Sequence, residues 1–458
     1  MEDGREDRAL AAWRRGPGGA RRLGPNEGAP APRALSSHFR SACLAVDISQ
    51  PKGLGTCRCV SRLRMEELPG IDWWPLSSHP SKGPSRVRQF FIVLGCSFVL
   101  GCASTPKPVP AAPPDAAETS QAEHETPGYL SPSEIVKVLE DSKVAYRVEG
   151  KDSPPGGWGD QLWPQRVALI DVPQVEVEDG RRTIREWPTP AGLKALLDEV
   201  EPHFQAKRYD EAAKLYAQAT DLCPECYVAW VFRGDADYFA GDAATALEHY
   251  VRATTLNPYD HRAWFFQGNA LAKLGRFEEA LDAWAQCLAL SPRYPVIRQF
   301  FRTNAHLGLV IRGDTIVPRG YAERAAEGVS IQFDPNHDPA WLAFANCKAL
   351  WLGEPSHRAK MTGSTEEQFT SVEEMECLAS ALAVHESQKA EGKTDASDPT
   401  LDRLFAIAQE GLLLEAVLFE VGARVHPQIA LTLDDELRRR LKKYVLTHVL
   451  VPAGGHGG

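Results

Sequence analysis

A chain of 458 residues, 43% hydrophobic and 24% charged, has the make-up of a water-soluble protein with room for two or three domains. Its formal charge of −10 is unevenly spread: residues 1–88 hold 15 Lys/Arg against 9 Asp/Glu, so everything beyond them is strongly acidic. An acidic body excludes nucleic acid as the principal partner, since phosphate binding needs a basic face, and ten scattered cysteines are not the dense framework of a disulfide-stapled domain.

Residues 1–86 are rich in Arg, Gly, Pro and Ala and keep no period of 2 or 3.6. Glu2, Asp3, Glu6 and Asp7 are unlike an acid-poor transit peptide. The expectation is a disordered stretch, or a reading frame opened too far upstream. Cys57 and Cys59 form a C-x-C with no matching pair. From Arg86 a short basic region leads into the apolar run Phe90–Gly101 and then Cys102. Twelve apolar residues are too few for a bilayer span, which needs about 20, but they suit the core of a secretory signal. Val99-Leu100-Gly101-Cys102 resembles a bacterial lipobox, which implies a lipidated Cys102, a signal over residues 87–102 and a start near Val87. Residues 103–128, rich in Pro, Ala, Ser and Glu, cannot bury a core and read as an extended tether. Signal, cysteine and tether in that order imply a membrane held through a lipid anchor, facing the periplasm. Ala103 after the cysteine favours the outer membrane under the enterobacterial sorting rule. The alternative is a soluble protein in which Phe90–Gly101 is buried.

Ser131-Pro132-Ser133-Glu134 reads as a helix start, with Ser131 as N-cap, Pro132 in the first turn and Glu134 closing a capping box. Past a Pro- and Gly-rich loop at 153–159, Val167–Val172 and Gln174–Glu186 look extended, with Asp179-Gly180 as a hairpin turn. Residues 129–190 are thus expected to form a small α+β module. Trp158, Trp163 and Trp187 would plug its core rather than form an aromatic binding surface.

The next stretch repeats itself. Pro224, Pro258 and Pro292 are spaced by 34 residues. Trp230, Gly234, Gly241, Ala246, Tyr250 and Ala253 precede Pro258, and Trp264, Gly268, Gly275, Ala280 and Trp284 precede Pro292 at the same offsets. A partial first unit keeps Ala212, Tyr216 and Ala219 before Pro224. Mid-helix glycine costs about 1 kcal/mol against alanine, so Gly234 and Gly268 mark places where a second helix comes close. Ala246 and Ala280 answer from that helix, the aromatics fill the space between, and each proline ends a helix. Period and spacing resemble the tetratricopeptide-repeat family over about residues 193–294, with a looser echo to 353. The resemblance implies a mainly α protein: a right-handed α-solenoid of helix pairs over residues 191–353, preceded by the α+β module.

Beyond Pro292 the pattern loosens. Phe300, Phe301, Asn304 and Ala305 follow Phe265, Phe266, Asn269 and Ala270 at an offset of 35, without Trp or Gly. Tyr321–Phe333 reads as a helix ending at Asp334-Pro335. The six-residue step from Pro335 to Trp341 repeats those from Pro224 to Trp230 and Pro258 to Trp264, and reads as a further repeat boundary. Three helices near 366–390, 399–423 and 433–450 would cap the open end of the stack over residues 354–452, with Leu437, Leu441, Tyr444, Val445 and Val449 as an apolar stripe on the last. Residues 453–458 read as a flexible tail.

Chemistry has few candidates. Cys223-Pro224-Glu225-Cys226 is a C-x-x-C, open to a disulfide, free thiols, a redox pair or a metal site. A redox pair wants a thioredoxin-like βαβ setting, whereas this one straddles a repeat turn. Asp334–Asp338 looks like a calcium loop, but its counterpart Asn257-Pro258-Tyr259-Asp260-His261 is a repeat turn, which explains both without metal. No P-loop, H-E-x-x-H, G-x-S-x-G or G-x-G-x-x-G occurs, and His249 and His306 read as packing or surface residues. No cofactor, metal or catalytic set is expected. The family resemblance places a partner groove on the concave face lined by the first helices: Val231, Asp235, Tyr238 and Phe239, then Arg262, Phe265, Asn269 and Lys273. Val231 and Phe232 stand where a carboxylate clamp would want polar or basic groups. The implied function is a non-catalytic scaffold that grips an unidentified protein or peptide.

Overall fold

The computed structural model describes residues 128–164, 166–392 and 398–454. The expectations for residues 1–127, including the signal, Cys102 and most of the tether, lie outside the described residues, as does the end of the tail.

Helix α1 (Pro132–Asp141) begins as its sequence dictates, with Ser131 and Glu134 forming a reciprocal capping box. Strand β1 (Tyr146–Gly150) follows, then a single helical turn at Gly159–Leu162. Strands β2 (Pro173–Glu178) and β3 (Arg181–Glu186) form an antiparallel hairpin. Its turn residues Asp179 and Gly180 both have positive φ, at 49° and 76°, which is the two-residue turn expected of Asp-Gly. Seven helices come next: α2 (Ala191–Gln205), α3 (Tyr209–Leu222), α4 (Tyr227–Ala240), α5 (Ala243–Leu256), α6 (His261–Lys273), α7 (Phe277–Leu290) and α8 (Pro295–Thr303).

Each helix packs on the next, and the closest approaches fall at the repeat glycines. A Cβ at Gly234 would lie 2.8 Å from the Tyr250 ring, and one at Gly268 only 2.5 Å from Trp284. The small residues opposite, Ala246 and Ala280, are fully buried. Trp230 Nε1 donates to the Pro224 carbonyl and Trp264 Nε1 to that of Pro258, both at 2.9 Å. The tryptophan therefore locks the loop that the proline bends. The next unit keeps that bond with another residue: Arg298 Nη2 donates to the Pro292 carbonyl at 2.7 Å. So α8 opens a fourth unit whose tryptophan is replaced by arginine.

After α8 the architecture changes. Strand β4 (Leu309–Ile311) leads to β5 (Gly320–Arg324) and β6 (Val329–Phe333), an antiparallel hairpin. The helix expected over Tyr321–Phe333 is not there. Val329, Ile331 and Phe333 alternate with polar residues, the period of a strand, and Gly328 takes the turn at φ 85°. The alanines at 322, 325 and 326 gave the segment its helical look. The small α+β module does precede the repeat helices, but its sheet is not made from its own strands alone. Its strand β1 is completed by β6, to which it runs parallel, so the sheet order is β1-β6-β5.

Helix α9 (Ala340–Gly353) packs on β5 and β6. Beyond it lie α10 (Pro355–Thr362), α11 (Ser371–Ala390) and α12 (Pro399–Gln409). Trp341, on α9, donates to Asp398 rather than to the Pro335 carbonyl, so the six-residue spacing at Pro335 does not reproduce the repeat's lock. The helix expected over 399–423 breaks at Gly411, at φ 71°, and resumes from Leu413 through a wide π turn at Val417–Gly422. Helix α13 (Asp435–Tyr444) carries Leu441 and Tyr444 inward and widens into a second π turn at Val445–Val449. The chain closes with β7 (Leu450–Pro452) against β4. Trp158 and Trp163 are buried and Trp187 is half-buried, as core plugs should be.

The glycine contacts set a first prediction. Gly268→Ala drives a methyl into the Trp284 ring, whose Nε1 is held by Asn269 at 3.0 Å. It should destabilise the fold by about 1–3 kcal/mol through overpacking, read as a lower urea midpoint. A midpoint equal to or above that of the native protein would show that the two helices do not approach as described.

Candidate functional site

The first helices α4 and α6 each place a polar side chain inward at the same position of the repeat. Asp235 on α4 accepts from the Tyr250 hydroxyl at 2.8 Å, and Asn269 on α6 accepts from Trp284 Nε1 at 3.0 Å. These two residues are 34 apart, as are their donors, so the bond is a property of the repeat. It commits both side chains to joining first helix to second.

The eight residues expected to line a groove are not free as a set. Val231, Asp235, Tyr238, Arg262, Phe265 and Asn269 are buried, Phe239 is half-buried, and only Lys273 is exposed. Phe265 meets Tyr294 and Phe300 edge-on at 6.0 and 5.5 Å. Phe239 stacks on Tyr209 at 5.7 Å and meets Phe204 edge-on. The physical reason is aromatic packing between successive helix pairs, which draws the inward residues into the core. The Lys273 ammonium sits 4.4 Å over the Tyr238 ring, a cation–π contact at the exposed end of the face.

The other end is covered by the chain itself. Between Val167 and Trp187 the backbone runs from the C-terminal helices across the helix-pair turns. The Val167 amide donates to the Val425 carbonyl at 2.8 Å. The Gln428 side-chain amide takes Ile170 from both sides, accepting from its N–H at 2.9 Å and donating to its carbonyl at 2.8 Å. Arg262 Nη1 reaches Asp171 Oδ1 at 2.8 Å, while Nη2 reaches the Asp171 carbonyl. Asn257 Nδ2 donates to the Pro173 carbonyl at 2.8 Å in a buried contact. Trp187 meets Tyr227 edge-on at 5.0 Å. Polar side chains of the second and third units thus hold the backbone carbonyls of Asp171 and Pro173.

At the centre of this contact is Asp260, wholly buried. As N-cap of α6 it accepts from the Arg262 amide at 2.9 Å. It also accepts from Arg262 Nε at 3.0 Å, from Nη2 at 2.8 Å and from the Tyr227 hydroxyl at 2.7 Å. Burial opposes its charge, but the Arg262 guanidinium and these hydrogen bonds outweigh that and bring its pKa down to about 2. Burial works the other way on His261, pushing the imidazole down to about 4 against the pull of Asp260. Burial and the nearby Asp260 charge both raise the Tyr227 hydroxyl.

Of the readings open to the C-x-x-C, the structure shows the disulfide, and it adds a second one. Cys223 and Cys226 are joined as a disulfide across a repeat turn, and Cys347 is joined to Cys377, tying α9 to α11. Cys287 is buried and has no disulfide partner among the described residues. The second bond carries no motif: its partners are 30 residues apart, and only helix packing brings them together. Among the described residues no group of three or more His, Cys, Asp or Glu side chains could hold a metal, and no helix is long and apolar enough to cross a membrane. Asp334 instead accepts from the Ser153 amide and hydroxyl, both at 2.7 Å, and from Asn336. Asp338 accepts from the Ala340 amide at 2.9 Å and binds His385 at 2.6 Å.

Helix pairs stacked by a 34-residue rule, two of them with a Gly–aromatic contact and a tryptophan–proline lock, define an α-solenoid. Residues 231–295 match the tetratricopeptide repeat model, so that segment carries tetratricopeptide repeats. It is similar in fold to the first such repeat domain of Spaghetti (RPAP3) bound to an HSP90 peptide, at 24% identity and a TM-score of 0.24, covering 25% of this chain and 92% of that one. It is also similar to the Yersinia enterocolitica type III secretion chaperone SycD in complex with a YopD peptide, at 18% identity and 0.24, covering 26% and 92%. The Sgt2 repeat domain of Aspergillus fumigatus matches at 27% identity and 0.21, covering 22% and 66%. No curated protein matches.

The Asp260 cluster predicts a pH dependence. His261 has a lower pKa folded than unfolded, so the stability it contributes is complete above about pH 6.5 and is lost as pH falls to about 4. Asp260 adds a second loss between about pH 4 and 2. Urea midpoints measured from pH 7 to 4 should fall, and His261→Gln should flatten that slope. An unchanged slope in the variant would contradict the assignment.

Proposed function

We propose that this protein is a non-catalytic scaffold lipoprotein that binds a protein or peptide partner on the periplasmic side of a bacterial envelope membrane, with the outer membrane favoured. Stacked repeats of this kind form extended concave binding surfaces. The observation that carries the reading is the set of side chains, Asn257 and Arg262 on the repeats and Gln428 beyond them, that already hold another stretch of backbone by its carbonyls. That is the chemistry of peptide capture, applied here to the chain's own residues 170–173. A separate partner would take the end left open, where Lys273 lies over Tyr238 beside half-buried Phe239.

Two features support the setting. The basic, apolar and Cys102 sequence has the order of a lipoprotein signal, and a diacylated cysteine carries enough chain for stable anchoring. The two disulfides among the described residues suit an oxidising compartment such as the periplasm. A thiol-redox protein using Cys223 and Cys226 is the second reading, favoured by their pairing in a C-x-x-C.

The test joins fractionation to capture. Cys102→Ser should move the protein from the membrane to the soluble fraction; a variant that stays in membranes would rule out the lipid anchor. Phe239→Ala/Lys273→Glu should lose a partner captured by the native protein, while Cys223→Ser/Cys226→Ser keeps it. The reverse pattern, with both variants folded, would favour the redox reading.

A further inference from the structure

Strand β1 is an edge. Ala145 accepts from the Val329 amide, and the Lys151 amide donates to the Phe333 carbonyl. Residues 145, 147, 149 and 151 therefore turn their backbone groups toward β6. Successive residues of a strand face opposite edges, so the N–H and C=O groups of Tyr146, Val148 and Gly150 point outward. Among the described residues none bonds to them. Val148 adds an apolar side chain 54% exposed, although it pairs with Ile331 on the face that packs on α9.

Such an edge is a template for another strand, and the sequence of β1 says which. If a second β1 pairs antiparallel about a two-fold axis at Val148, Tyr146 lies opposite Gly150 and Val148 opposite itself. All three are the outward-facing residues, so every hydrogen bond of the ladder is made. The same register sets Arg147 of each copy directly opposite Glu149 of the other, twice, in positions where side chains approach most closely. On the opposite face the two Val148 side chains cover one another. A shift of two residues in the register would break both charge pairs. The edge is complementary to itself.

We propose that β1 is a homodimerisation strand, joining two copies into one six-stranded sheet in the order β5-β6-β1-β1-β6-β5. The interface lies on the sheet formed by β1, β6 and β5 and uses none of the residues assigned to partner binding. One strand pair is a small contact, so association should be concentration-dependent.

The test is sedimentation velocity on the purified full-length protein over a range of concentrations. The native protein should show a monomer–dimer equilibrium. Arg147→Glu alone sets Glu against Glu, and Glu149→Arg alone sets Arg against Arg; each should weaken the dimer by about tenfold or more. The double swap R147E/E149R restores opposite charges in this register only, and should return the dimer to near-native strength. Val148→Pro removes an outward N–H without touching the β6 ladder and should abolish the dimer, with circular dichroism confirming the fold. A monomer at every concentration, a dimer indifferent to Val148→Pro, or a double swap that fails to rescue would each overturn the proposal. The first of these would leave the edge to another segment of the chain or to a different partner.

Discussion

The Asp260 carboxylate is where three parts of this protein meet. It caps helix α6, takes the Tyr227 hydroxyl from the preceding helix pair, and holds the Arg262 guanidinium that reaches Asp171 in the covering segment. A buried carboxylate is tolerable only when its charge is answered, and here the answer comes from groups that no single helix pair contains. Losing one of them leaves a charge in a dry site, so the unit-to-unit contact and the covering segment depend on each other. The low pKa of Asp260 and the depressed His261 beside it express the same arrangement.

That dependence shapes what the concave face can do. A solenoid stabilised only by neighbour contacts would leave its first helices open along their length. This one gives the turns of its second and third units to residues 167–187 and leaves Lys273 and Phe239 at the far end. Because Gln428 and Val425 hold the same segment, the C-terminal helices are tied to the repeats through it as well as by direct packing. They do not simply close the end of the stack. Capping in this chain is shared between a returning N-terminal strap and the C-terminal helices.

The repeats were legible because their constraints are local and periodic. A glycine facing an aromatic ring, a small residue opposite and a proline at the turn recur at fixed offsets, and each has a steric reason. The capping box at Ser131 and the Asp179-Gly180 turn were legible for the same cause. What could not be read was long-range pairing. Strand β1 joins β6 across some 180 residues, and nothing near Tyr146 announces it. The alternation of Val329, Ile331 and Phe333 was present but masked by the alanines before it. Arg298 escaped notice because the repeat pattern asks for tryptophan, while the structure asks only for a donor to the Pro292 carbonyl. The inward face was mistaken for an open groove because burial of residues such as Phe265 depends on the next unit, where Tyr294 and Phe300 pack against it.

The central claim is that the segment from Val167 to Trp187 is held in place on the folded chain in the native state. Amide hydrogen exchange on the native protein measures this directly. The Ile170 amide, held by Gln428, and the Trp187 amide, held by the Val172 carbonyl, should be protected by about a thousandfold or more over unstructured chain, close to the protection of helix α6. Exchange of these amides at the rate of a free peptide, with α6 still protected, would contradict the account.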